Sequence, residues 1–80
     1  MNWEKLARAE VHPLKVRILE WFDEEGNPPA SPAVLARELD EGVGKVGYHM
    51  RKLASAGLVS LVDERQVRGA IEHFYQAVRG

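Results

Sequence analysis

Residues 31–59, SPAVLARELDEGVGKVGYHMRKLASAGLV, constrain the chain more than any other stretch. Ser31-Pro32 marks a helix start: a serine oxygen can accept from the free N–H groups of the first turn, and proline suits the first helical position. Val34, Leu35 and Leu39 recur at helical spacing and give this helix a buried side. Asp40-Glu41-Gly42 then interrupts the pattern as a turn. From Val43 a further helix runs to Ser55 or Ala56, with Val46, Met50 and Leu53 as its inward stripe. Gly57 is expected to end it in the left-handed conformation, which glycine adopts without strain. Two short helices about a glycine-containing turn form a helix-turn-helix arrangement, whose second helix projects a polar face.

The flanking segments extend this unit. Trp3, Leu6 and Ala7 predict a short first helix. His12-Pro13 opens the next, which carries an apolar stripe of Leu14, Ile18, Trp21 and Phe22, with Val11 ahead of it and Leu19 beside it. Glu24 to Pro29 reads as a loop. After Gly57, Leu58–Glu64 and Ala70–Val78 read as two strands, rich in β-branched and aromatic residues, joined by the polar tip Arg65-Gln66-Val67-Arg68-Gly69. The buried face of the second strand stays open, because Ile71 and Tyr75 compete with Phe74 and Val78. The predicted class is therefore α+β: one small winged helix-turn-helix domain over residues 1–80, with three to four helices followed by a two-stranded β-hairpin wing about residues 58–78.

In that order and spacing the chain resembles the ArsR-like winged-helix regulators of bacteria, archaea and their phages. The resemblance rests on His12-Pro13-Leu14-Lys15-Val16-Arg17-Ile18-Leu19, on Ser31-Pro32-Ala33-Val34-Leu35-Ala36-Arg37-Glu38-Leu39, and on Val46-Gly47-Tyr48-His49-Met50-Arg51-Lys52-Leu53. Ala56-Gly57-Leu58-Val59 follows, and Arg68-Gly69-Ala70-Ile71-Glu72-His73-Phe74-Tyr75 is similar to the returning strand of the family's wing. The resemblance implies a DNA-binding transcriptional regulator, with residues 43–56 in the major groove of double-stranded DNA and the hairpin on the backbone or minor groove. The sequence departs from the pattern at Gly42 and Gly47, where the family favours hydroxyl residues, and at Glu41, where an apolar residue is common. It also stops short of the C-terminal helix that many members use to pair. The family's metal sensors use cysteine or histidine clusters. Here there is no cysteine and the three histidines are dispersed, so no metal and no cofactor are expected.

Charge follows the same division. Residues 1–41 carry five basic and nine acidic side chains, residues 42–80 six and three, so the overall charge of −1 conceals a basic second half. With the apolar stripe inward, Gly44, Lys45, Gly47, Tyr48, Arg51 and Lys52 face outward. Lys45 and Tyr48, near the helix start, are the candidates for base contacts, and Arg51 and Lys52 for phosphates. Arg65 and Arg68 at the hairpin tip are placed for the backbone or minor groove. Ser31 is first a helix cap and second a phosphate ligand. Solvated cations on an ordinary exposed face are the plainer account of the same pattern. His12 reads as part of a helix start, His49 as a structural residue bonding across to a neighbouring element, and His73 as a strand residue.

Other function classes are weighed on the same residues. A protein-interaction module without DNA binding is the alternative, with Asp23-Glu24-Glu25 and Asp40-Glu41 facing a basic partner. Catalysis is not expected: there is no cysteine nucleophile, no nucleophile-elbow serine, no phosphate-cradling glycine loop and no HExxH pair. MNWEKLARAEVH lacks the apolar core of a secretory signal, which predicts a cytoplasmic protein. Trp3 and Leu6 on the N-terminal helix suit a homodimer contact as well as a helix folded back on its own monomer.

Overall fold

A computed structural model of the chain describes residues 12–24 and 26–78. The N-terminal helix expected around Trp3 and Leu6, and its role in pairing, lie outside the described residues. The described order is α1 (Pro13–Asp23), α2 (Pro32–Leu39), α3 (Val43–Ser55), β1 (Val59–Val67) and β2 (Ala70–Ala77). This is a small winged helix-turn-helix fold.

Each helix boundary has a local cause. The His12 imidazole caps α1, its Nδ1 accepting the Leu14 N–H at 3.1 Å, with Pro13 in the first turn. The loop after α1 is held by Asn27, whose amide donates to the Trp21 carbonyl at 2.8 Å and to Glu24 at 3.1 Å. Ser31 caps α2 through the Val34 N–H. Asp40 ends α2 in the left-handed region, φ 54°, where aspartate is among the few tolerated side chains. Gly57, φ 76°, follows α3 as its sequence position predicted, and the Leu58 N–H then donates to the Leu53 carbonyl.

The core gathers the inward stripes. Ile18 of α1, Leu35 of α2 and Val46, Met50 and Leu53 of α3 are fully buried, with Leu14, Leu19, Phe22, Ala30, Leu58 and Val59 around them. Trp21, Val34 and Leu39 pack on its margin, half-buried. Removing a side chain from such a site costs about 2–5 kcal/mol.

The sheet is a β1–β2 antiparallel hairpin, extended by a single bridge in which Ala30 and Tyr75 exchange N–H···O bonds, both at 2.9 Å. One sequence expectation is corrected here and one open question is answered. Residues 65–67 are strand, not tip: Val67 pairs with Ala70, and only Arg68 and Gly69 lie between them. Both have positive φ, 50° and 81°, as a type I′ two-residue hairpin turn requires. The open question of the buried face also has an answer, because a bulge at Val62 shifts the register. Leu61 pairs with Tyr75, whereas Asp63 pairs with Phe74. Directly paired residues share a face, so the bulge moves Asp63 and Arg65 to the side opposite Leu61. Both strand faces are used: Tyr75 packs half-buried on the core, Phe74 is buried on the other side, and Ile71 and Val78 are exposed.

Arg68 occupies a conformation that asparagine tolerates and arginine does not favour. Arg68→Asn is expected to raise stability by about 0.5–1 kcal/mol, read as a higher denaturation midpoint with an unchanged urea slope. A lower midpoint would contradict the turn geometry.

Candidate nucleic-acid interface

α3 has two chemically distinct sides. Its inward side is closed by Val46, Met50 and Leu53, whereas Gly44, Lys45, Tyr48, Arg51, Lys52 and Ser55 are exposed. The helix carries three cations and no carboxylate. Lys45, Tyr48 and Lys52 follow one another at i+3 and i+4 spacing, as do Tyr48, Arg51 and Ser55, so they form one stripe. Tyr48, Arg51, Lys52 and Ser55 line an open hollow along it. Ser55 was not singled out from the sequence, although its position three and four residues beyond Lys52 and Arg51 was the available signal.

The side chains on this stripe are partly organised. The Lys52 ammonium lies 5.6 Å from the Tyr48 ring centroid, a cation–π distance. The Tyr48 ring meets His49 edge-on at 5.2 Å, and His49 lies 4.5 Å from His12, the cap of α1. His49 is thus a buried structural residue that links α3 to the start of α1.

Gly47 departs from its expected place on the outward face. It is buried against the start of α2: a Cβ built there would lie 3.8 Å from Pro32 Cβ and 3.4 Å from Arg51 Nη1. Both are ordinary van der Waals distances, so the site has room for a methyl group without displacing either neighbour. Gly44 differs, since a Cβ there would meet nothing within 4 Å.

The hairpin cations divide. Arg68 stands in the turn. Arg65 lies within β1, and its Nε donates to Asp63 at 2.9 Å while its guanidinium stacks 4.6 Å over Phe74. The Arg65 hydrogen bond holds the Asp63 carboxyl below its ordinary value of 3.8. The pair's contribution is therefore full above that value and is lost as the pH falls through the lowered one. Arg65 is tied to its own strand before any ligand arrives.

Ser31 is fully buried, and its hydroxyl is used twice. It accepts from Val34 at 3.2 Å and donates to Glu72 Oε1 at 2.9 Å, joining α2 to β2. The bonds it makes are those of a cap and a cross-link. Among the described residues no group of three or more His, Cys, Asp or Glu could hold a metal ion, and no helix is long and apolar enough to cross a membrane. Ser31→Ala removes both bonds and takes the hydroxyl partner from the half-buried Glu72 carboxylate. We expect a loss of about 1–2 kcal/mol, measured by thermal or urea denaturation; an unchanged midpoint would refute the cross-link.

Comparison with known proteins places this geometry. The fold is similar to that of a possible transcriptional regulator from Methanosarcina mazei Go1, with a TM-score of 0.79 at 13% identity. The match covers 92% of this chain and 62% of that one, so the chain spans less than two thirds of its structural neighbour. No curated protein matches the sequence. A family model described as a helix-turn-helix domain matches residues 11–62, from the cap of α1 through the first part of β1. The chain belongs to the helix-turn-helix domain family.

Proposed function

We propose that this protein is a DNA-binding transcriptional regulator of the ArsR-like kind, and that residues 1–80 act as one domain. The observation that carries the reading is the exposed side of α3: Lys45, Tyr48, Arg51 and Lys52 in one stripe, on a helix without a carboxylate. In a major groove the start of the helix meets base edges. Lys45 donates to guanine O6 or N7, and Tyr48 packs on a thymine methyl or donates to phosphate. Arg51 and Lys52, further along, hold phosphates and set the register. Arg68 at the hairpin tip reaches the neighbouring backbone or minor groove, and Arg65 contributes from the strand behind it. Ser31 supports this surface from below by fixing the start of α2. The role is binding, with no catalysis, and is carried out in the cytoplasm.

A single module of this size offers a small DNA interface, so the protein acts as a homodimer on a two-fold site. The M. mazei neighbour, titled a possible transcriptional regulator, supports the same class of role. A second reading, a protein-interaction module without DNA binding, is favoured by the hairpin. Leu61, Val62, Val67 and Ile71 are all exposed there, Ile71 to 61%.

Salt separates the two readings. Fluorescence anisotropy with a short random-sequence duplex should show affinity falling by at least about tenfold between roughly 50 and 200 mM salt, as condensed counterions are released. Light scattering on the same sample should give twice the chain mass. No binding at low salt would overturn the DNA reading in favour of a protein partner. A folded Lys45→Ala/Arg51→Ala double variant should bind about tenfold or more weakly at low salt. Binding equal to the parent would remove α3 as the DNA-reading helix.

A further inference from the structure

Glu41 stands in the turn between α2 and α3, at the end of α3 where the proposed base contacts lie. Its backbone N–H donates to the Ala36 carbonyl at 2.9 Å, which fixes the main chain. Its side chain is fixed as well. Arg17 of α1 donates from Nη1 to Glu41 Oε1 at 3.1 Å and from Nη2 to the Leu39 carbonyl at 2.7 Å, clamping α1 to the turn. The other carboxylate oxygen, Oε2, lies 4.0 Å from Lys45 Nζ, one helical turn on. Gly42 supplies no side-chain cap to α3, so this carboxylate is also an anion beside the positive end of the helix. Lys45 itself is 70% exposed, against 27% for Glu41. An exposed cation therefore sits next to an anion that Arg17 holds from the other side.

We propose that Glu41 is a selectivity residue of this surface: anchored by Arg17, it masks the Lys45 ammonium against phosphate in general and releases it to a duplex whose bases offer a matching acceptor. The inference rests on the DNA reading above. Its logic is electrostatic. Non-specific binding depends on the net number of cations presented to phosphates, and a carboxylate beside Lys45 cancels one of them. On a matching site Lys45 regains its lost partner as a base-edge hydrogen bond, and its position at the groove is set in advance. Glu41 thus costs affinity on every duplex but costs most where the sequence is wrong, which widens the ratio between sites.

The test is anisotropy with the full chain, the parent against Glu41→Gln, on a random duplex and on the best duplex recovered by selection. Gln keeps the shape and an oxygen for Arg17 while removing the charge. On the random duplex its affinity should rise about three- to tenfold at low salt, and the slope of log affinity against log salt should steepen by about 0.9, the value for one further cation. The gain on the selected duplex should be smaller, so the specificity ratio falls. In a Lys45→Ala background the steepening should disappear. A role in folding alone would not move the salt slope. Should the Gln variant fail to fold, Glu41→Asp withdraws the carboxylate from Lys45 by one methylene and should show the same changes at smaller size. A parent that binds with the expected salt dependence, beside a Gln variant of identical slope and affinity, overturns the role of Glu41 and leaves the DNA reading standing. A parent without salt-sensitive binding overturns both.

Discussion

Burial of Val46, Met50 and Leu53 is the constraint on which the rest of the structure depends. All three are fully buried, against Ile18 of α1 and Leu35 of α2. A chain this short has one core, and apolar burial is its main driving force. Three anchors on one side of a helix leave no freedom to rotate about its axis. Rotating α3 by a single residue's angular step would expose part of the stripe and drive a polar neighbour inward. The same packing that stabilises the domain therefore decides that Lys45, Tyr48, Arg51 and Lys52 point away from it.

The polar cross-links refine that arrangement. Arg17 ties α1 to the turn that launches α3, the Ser31 hydroxyl joins the start of α2 to Glu72 on β2, and the His12–His49 ring contact joins the cap of α1 to the middle of α3. Each connects elements that are distant in sequence, at a place where apolar packing alone would permit a small slide.

Most of the fold was legible because periodicity and capping are local. Ser31-Pro32, Gly57 and the Val46/Met50/Leu53 stripe each announced an element that the structure contains. The hairpin was less legible. A bulge at Val62 inverts the alternation of β1 halfway along, so no single period-two pattern describes it, and both Phe74 and Tyr75 find cover. The tip reads too long from sequence because Arg68 is an unexpected residue at positive φ, where Asn-Gly would advertise a two-residue turn. Gly47 falls on the outward side by spacing because helical spacing alone does not say where a neighbouring helix crosses.

The candidate surface divides in the same way. Sequence by itself determined that the third described helix is basic on one side and apolar on the other, because helical geometry converts spacing directly into faces. Tertiary structure alone decided which polar groups are available on that surface. It buried Ser31 and joined it to Glu72, set the Arg65 guanidinium over Phe74, and brought Arg17 to the Glu41 carboxylate. The Ser31 and Glu41 links bring together residues separated by up to 41 positions along the chain. Such partnerships depend on how the helices and hairpin pack, a property of the whole core that no local run of residues encodes.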